Sequence, residues 1–326
     1  MDRHRNLLKA TLVIALVVLL FVAAYSAIKL VTEFLIPKYD LQDDLPFGII
    51  EVDGIKYSLR DDVSTFLLMG IDKSGPVTPS DSYNNDGASD VVSVIVFDDS
   101  AKTYKVLMLN RDTMLDVNVL SVTGTDAGSV YGQLALAHTY GTGVEDSCRN
   151  VKKTVVDFLG DIEIDYYLSM RMDAVSVLTD AIGGVKVNVT DDFSDIDPEI
   201  KMGENILNGK TALSFVRNRQ GVGDQLNLSR MERQKIFISA FLDTVSQKYK
   251  NDDSFAMKTY NSIAKYVVSD CPVSTFDNII EKCMDYKFEG IVSPEGKNEQ
   301  GEKYMEFYAD KDSVKSLVLQ LFYQQK

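Results

Sequence analysis

This sequence predicts an α/β fold: a three-layer α-β-α domain with a central mixed sheet, preceded by one transmembrane helix. Three observations predict it. Short apolar runs rich in β-branched residues, Thr65 to Ile71, Val91 to Phe97 and Tyr104 to Leu109, read as strands buried on both faces. Beyond Asp112, strand-like runs alternate with segments of helical period, the pattern of a sheet covered by helices on both sides. Near the N-terminus, the stretch Thr11 to Ala24 carries no charge at all.

The first element is that uncharged stretch. The apolar span Leu7 to Ile28 is long enough to cross a hydrocarbon core as a helix, and Arg3, Arg5 and Lys9 precede its uncharged run. Positive charge is retained on the cytoplasmic side, so residues 1–9 read as a cytoplasmic N-terminus, 10–30 as the anchor, and everything after as extracellular. A cleaved secretory signal is the competing reading. The run is longer than a signal core, and Ala23 to Ala27 makes a mediocre cleavage site. Residues 31–62, with Pro37, Pro46 and acidic turns, read as a stalk holding one small hairpin around Gly54.

Residues 63–326 read as one domain. Five residues, Asp98 to Lys102, join the second and third strands, a hairpin-length turn that makes them antiparallel. Gly70 to Asp90 is a long loop rich in Gly, Pro, Ser and Asn. Helical spacing then covers Tyr131 to Tyr140 and Val144 to Leu159, and Tyr166 to Met170 reads as a strand. Ala174 to Ile182 is a short helix stopped by Gly183 and Gly184, after which Val185, Val187 and Val189 alternate as a strand. Lys210 to Val216 and Arg230 to Tyr249 read as helices. So do Phe255 to Val268, Thr275 to Met284 and Ser313 to Phe322, with Phe288 to Val292 and Tyr304 to Tyr308 as edge strands. Their apolar positions fit either core or a groove for a long hydrocarbon chain.

Composition removes several functions. With 326 residues and 45% hydrophobic content the chain can bury a sizeable core, but its net charge of -14 argues against a nucleic-acid partner. Cys148, Cys271 and Cys283 are too few for a disulfide framework; a Cys271 to Cys283 bridge is one reading and ordinary buried thiols the better one. His4 and His138 are the only histidines, and no CxxC pair offers a zinc site.

Against this acidic background, Arg217, Arg219, Arg230 and Arg233 stand together between Val216 and Gln234. Guanidinium groups fit phosphate or carboxylate bidentately and keep their charge, so the clustering points to an anion site; a solvated, salt-bridged helix face is the plainer reading. Ser229 and Glu232 form a capping-box pattern that starts a helix at Arg230, with Arg230 and Gln234 on one face and Arg233 beside them. If the first strand also pairs antiparallel with the second, Asp72, Asp90 and the pair Arg111 and Asp112 fall on one rim of the sheet. Two carboxylates and an arginine on one rim suit magnesium beside a phosphate, whereas strand-end polar residues facing solvent are the ordinary alternative.

These residues carry a resemblance. Leu68 to Asp72, Ser89-Asp90, Arg111-Asp112-Thr113, Ile164 to Tyr167 and Gly183 to Val185 match motifs of the LytR-CpsA-Psr family of membrane-anchored cell-wall glycopolymer transferases. So do Leu207-Asn208-Gly209 through Arg219, and Arg230 with Glu232 to Gln234, in the same order behind a membrane segment. The resemblance implies transfer of a glycopolymer, such as a teichoic acid or capsule chain, from a polyprenyl-pyrophosphate carrier to a peptidoglycan sugar hydroxyl through a phosphodiester. It implies that Asp72 and Asp90 hold magnesium (Mg2+), that Arg111, Arg217, Arg219 and Arg230 clamp the pyrophosphate with Gln234 in support, and that an apolar tunnel takes the lipid tail. The partners implied are the lipid-linked glycopolymer, peptidoglycan and the membrane. Ala88 stands where the family commonly has an arginine, which removes one phosphate contact and either weakens donor affinity or leaves the work to Lys73, and Asn110 stands where it often has proline. Asp112 and Asp224 are candidates for the base on the acceptor hydroxyl, with Asp112 equally readable as a structural partner of Arg111. A membrane-tethered sensor that binds the lipid-linked sugar without turnover, and a polyprenyl-pyrophosphate hydrolase, are the competing functions.

Overall fold

The computed structural model describes residues 49–85, 87–223, 227–249 and 255–326. The expected N-terminus and anchor, most of the stalk and Asp224 lie outside the described residues. Among the described residues no helix is long and apolar enough to cross a membrane.

Strands β1 (Ile49–Val52) and β2 (Ile55–Leu59) form the hairpin expected around Gly54. Its two turn residues, Asp53 and Gly54, take φ of 52° and 77°, the left-handed pair that an Asp-Gly turn supplies at least cost. β3 (Val63–Ile71), β4 (Ser89–Asp98) and β5 (Thr103–Leu109) follow as antiparallel neighbours, as expected. The sequence reading missed the next hairpin, β6 (Met114–Leu120) and β7 (Asp126–Gln133). Its second strand takes in Tyr131 to Gln133, so the helix expected over Tyr131 to Tyr140 shrinks to one 3₁₀ segment, Leu134–Thr139. That segment is too short for a stable α-helix and is held by burial of Leu134, Ala135, Ala137 and His138.

Helix α1 (Glu145–Phe158) leads to β8 (Tyr166–Arg171), and α2 (Met172–Ala181) to the hairpin β9 (Val185–Val189) and β10 (Gly203–Leu207). α3 (Gly209–Arg217) and α4 (Asn227–Tyr249) carry the arginine cluster. α4 includes Asn227, so Ser229 is a helical residue and not the expected cap. The expected helix over Phe255 to Val268 is divided into α5 (Phe255–Ile263), a 3₁₀ turn and β11 (Val267–Ser269). α6 (Val273–Asp285), β12 (Lys287–Val292), β13 (Gly296–Gln300), β14 (Met305–Ala309), α7 (Lys311–Phe322) and β15 (Tyr323–Gln325) complete the chain. β14 pairs with β13 and not with the central sheet, and β15 pairs with β2, which joins part of the expected stalk to the body.

The central sheet has the order β11-β8-β3-β4-β5-β12 and is mixed, with parallel pairs at β3·β8 and β5·β12. Alternate residues of its strands face opposite ways. Phe66, Phe97, Tyr104 and Leu168 pack with Leu242 of α4 and with Phe276, Ile279 and Cys283 of α6. Leu67, Met69, Val92 and Val94 are buried on the other face, the side of α1. A second core forms where Val185, Val187 and Val189 meet Phe193, Phe215 and Phe237. Cys148, Cys271 and Cys283 are free thiols, so the bridge between the last two is not made.

Candidate functional site

The pleat and register of three strands build the site's floor. Because β3 and β5 both run antiparallel to β4, the end of β3, the start of β4 and the residues just after β5 share one rim. Asp72, Asp90 and Arg111 stand there. A register shift between Gly70 and Ile71 pairs Ile71 with Ser89, and the Asp72 amide donates to the Ala88 carbonyl at 2.9 Å. The two carboxylates therefore flank one pair of hydrogen-bonded strand ends.

α4 brings the opposite charge. Arg230, 4% exposed, donates Nη1 to Asp90 Oδ2 at 2.6 Å, and Arg111 bonds the other oxygen of the same carboxylate. Asp90 thus bridges two guanidinium groups. Arg217, at the end of α3, reaches Asp72 at 3.1 Å, and both are exposed. Arg219 is near enough to Asp112 and Arg230 to act on both electrostatically. Burial lowers the Arg230 pKa; Asp90 opposes this and Arg111 adds to it. The structure brings Asp72, Asp90, Arg111, Asp112, Arg217, Arg219 and Arg230 into one region.

Sequence reading missed Asn227 and gave Asn110 no role, yet both support the arginine cluster. Asn227, at the start of α4, accepts from Arg230 Nε and Nη2 and donates to Asn110 Oδ1 at 2.6 Å. Asn110 in turn accepts from the Asp112 amide at 3.0 Å. This chain fixes the Arg230 fork in the plane where it meets Asp90. An Asn three residues before an Arg on one helix was the only signal for it.

Asp112 is buried, and that burial pushes its carboxyl above the usual range. Its Oδ1 accepts from Gln133 Nε2 at 3.2 Å and lies 3.4 Å from Arg111 Nε, while Oδ2 has no hydrogen-bond partner among the described residues.

Two expected contributors are occupied elsewhere. Arg233 was expected to bind substrate; instead it donates to Phe215 O at 3.1 Å, to Asp191 at 2.7 Å and to the Asn218 carbonyl, lying over the Phe193 ring. It fastens the segment that carries Arg217 and Arg219. Gln234 Nε2 donates to the Val216 carbonyl at 3.1 Å and holds the same segment from the cavity side. Lys73 follows Asp72, and its carbonyl receives the Met172 amide.

Below the charged rim lies an apolar cavity of about 1220 Å3 counted out to its mouth. It runs between the sheet and α4, past Leu68, Val91, Ile95, Val106, Phe237 and Phe241, to Tyr104 and Cys283. Asp90, Arg217 and Gln234 line it as well, so charged groups and a greasy interior share one opening. Among the described residues no group of three or more His, Cys, Asp or Glu gathers to hold a metal. Asp72 and Asp90 are the carboxylates that would hold magnesium, which takes one or two carboxylates completed by water and ligand oxygens and needs no full protein cage.

A model of the LytR_cpsA_psr family matches residues 41–321. The chain is 30% identical over 207 residues to the polyisoprenyl-teichoic acid–peptidoglycan teichoic acid transferase TagV of Bacillus subtilis (strain 168), covering 59% of this chain and 48% of that protein. To TagU of the same organism it is 24% identical over 229 residues, 70% of this chain and 65% of that protein. The chain spans about half the length of TagV in this match. Its fold is similar to that of TagT bound to LI-WTA, with a TM-score of 0.61 and 22% identity over 80% of this chain and 90% of that one. It is likewise similar to YwtF (TagT) with bound octaprenyl pyrophosphate lipid, with a TM-score of 0.57 and 22% identity over 80% and 89%.

Proposed function

From its membership in the LytR_cpsA_psr family, to which this chain belongs, we propose that it transfers a glycopolymer from a polyprenyl-pyrophosphate carrier to a sugar hydroxyl of peptidoglycan. One observation carries the reading: Asp90, Arg217 and Gln234 line the same apolar cavity, and Arg111 and Arg230 both bond to that Asp90 carboxylate. A ligand with an anionic head and a long hydrocarbon tail satisfies both halves at once; a water-soluble phosphate leaves the cavity unused. Relatives named as teichoic acid transferases and a fold neighbour holding octaprenyl pyrophosphate agree with it.

In the reaction the acceptor hydroxyl oxygen attacks the phosphorus nearer the glycopolymer, a new P–O bond forms, and the bridging P–O bond breaks. Polyprenyl monophosphate leaves with the bridging oxygen, and the hydroxyl proton passes to a base. Arg111, Arg217, Arg219 and Arg230 neutralise the charge that spreads over the transferred oxygens. These arginines now rest on Asp72 and Asp90, with Arg219 near Asp112. Phosphate oxygens would share these guanidinium groups with the carboxylates when donor binds. Asp72 and Asp90 would hold magnesium, which would supply further charge neutralisation at the pyrophosphate. The uncharged segment before residue 31 anchors the chain and keeps the site beside a lipid-borne donor.

The test uses the full chain in lipid nanodiscs with magnesium, a labelled polyprenyl-pyrophosphate-linked sugar and a peptidoglycan fragment. Label joined to the fragment by a phosphodiester is expected. Donor binding without turnover overturns the transferase in favour of a sensor, and lipid phosphate release without linkage overturns it in favour of a hydrolase.

A further inference from the structure

The long loop between Asp72 and Asp90 contains a set of buried tethers that none of the chemistry above uses. Asn85 is 7% exposed and bonds in several directions. Its Nδ2 donates to the carbonyls of His138 and Gly141 at 2.8 and 3.1 Å, and its Oδ1 accepts from the Gly87 amide at 2.8 Å. His138, 2% exposed, meets the Gly87 carbonyl through Nδ1 at 2.7 Å. A carbonyl only accepts, so Nδ1 carries the hydrogen. The Ala88 carbonyl accepts from Asp72, and Ser89 Oγ donates to the Ala135 carbonyl. Residues 85, 87, 88 and 89 therefore each have an assigned partner immediately before Asp90.

The other half of the loop is tied as firmly. Arg171 is 5% exposed and donates to the carbonyls of Pro76 and Thr78 at 2.7 and 3.3 Å. Asp173 accepts from the Gly75 amide at 2.7 Å. Packing around Gly87 is equally tight, since a Cβ there would lie 2.9 Å from Asn85 Oδ1 and 3.0 Å from Ile71 Cγ2. A loop serving only to connect two strands gains little from spending three buried polar side chains on carbonyls.

The geometry points to Asn85, His138 and Arg171 as positioning residues that set the spacing of Asp72 and Asp90, and with it the affinity of that carboxylate pair for a divalent cation. This rests on the proposed reading only in naming the cation's use; the spacing itself is a property of the loop. His138 and Asn85 hold the strand start from the 3₁₀ segment, and Arg171 holds the loop from the neighbouring parallel strand. Loss of either lets the two carboxylates drift apart while the arginines stay in place on α3 and α4.

Full chain carrying His138→Leu, Asn85→Ala, Gly87→Ala or the conservative His138→Asn is compared with wild type well below each melting temperature. Manganese binding is followed by water proton relaxation, amide exchange at Asp72 and Gly87 by mass spectrometry, and transfer by the labelled-sugar assay. The first three variants should bind manganese at least fivefold more weakly, exchange faster at both amides and lower kcat per folded molecule at least tenfold. His138→Asn, whose amide nitrogen takes the place of Nδ1 and keeps a donor for the Gly87 carbonyl, should stay within threefold of wild type. Faster exchange with unchanged manganese affinity overturns the proposal, as does equal damage from His138→Asn and His138→Leu. If wild type itself shows no transfer, the proposed function fails, while manganese binding and exchange still decide the role of the loop. Should His138→Leu not fold, Gly87→Ala and Asn85→Ala carry the same comparison.

Discussion

Each guanidinium in the cluster has a different task, and position along the chain distinguishes them. Arg230 and Arg233 are three apart on one helix and both buried, yet one meets Asp90 and the other meets Asp191 and two carbonyls. Replacing Arg217 or Arg219 by alanine should cost at least about 2 kcal/mol of transition-state stabilisation, the scale of one lost charge-stabilising donor. Initial rates with saturating acceptor measure it, and an unchanged kcat/KM removes that arginine from the clamp. His138 allows a sign to be worked out. Burial pushes its pKa from the ordinary 6.5 of a free imidazole down to about 4, so above that range it is neutral in the folded chain. Between these values the unfolded chain binds the extra proton, so stability falls as pH drops from 6.5 to 4, by roughly 3 kcal/mol in all. Urea melts of wild type and His138→Asn across this range should diverge by that amount, and parallel curves contradict a neutral buried imidazole. At this scale the charged residues were legible because four arginines stand together in an acidic chain and the strand order gathers Asp72, Asp90 and Arg111 on one rim. Asn227, Asn110, Gln133 and Asn85 were not, because a buried amide has no pattern in sequence and shows its role only through its partners.

At the scale of elements, caps and close approaches fix where the arginines stand. α3 starts with a capping box: Asn208 accepts from the Thr211 amide at 3.0 Å, and Thr211 Oγ1 accepts from the Asn208 amide at 2.9 Å. Asn208→Ala should lower stability by about 1 kcal/mol in denaturant melts, the usual worth of such a cap. Thr211 replaces the acidic or amide residue that marks the pattern in sequence, so this box went unread. Ser229 and Glu232 were read as a box that the structure does not make. Gly209 lies so close to the Ser176 carbonyl that a methyl group there would collide with it, which locks α3 against α2. Strands buried on both faces were legible from their composition. The β6–β7 hairpin was hidden because one strand is mostly exposed and carries two glycines, Gly128 and Gly132, in place of β-branched residues.

The whole molecule combines a mixed sheet, two cores and a hollow between sheet and helix. The hollow could not be read from sequence, since Leu68, Ile95 and Phe241 look alike whether they meet each other or a lipid. Ser93 tests it. Its hydroxyl is fully buried against the cavity and has no hydrogen-bond partner among the described residues. Ser93→Leu should fill part of the space and raise stability by about 1 kcal/mol, as cavity-filling changes commonly do. The same change should weaken polyprenyl pyrophosphate binding and leave inorganic pyrophosphate binding unchanged in calorimetric titration. Equal binding of the lipid by variant and wild type contradicts a tail in the cavity.

The order of strands in the central sheet also governs biosynthesis. The four inner strands, β3, β4, β5 and β8, are all made by Arg171, but both borders, β11 and β12, come about a hundred residues later. A nascent chain therefore carries two open hydrogen-bonding margins for much of its synthesis, each a template for pairing with a neighbouring copy. Fragments that start at Gln42, and so lack the anchor, and end between residues 172 and 266 should sediment as aggregates in translation extracts, while those that start there and extend past Val292 should stay in the supernatant.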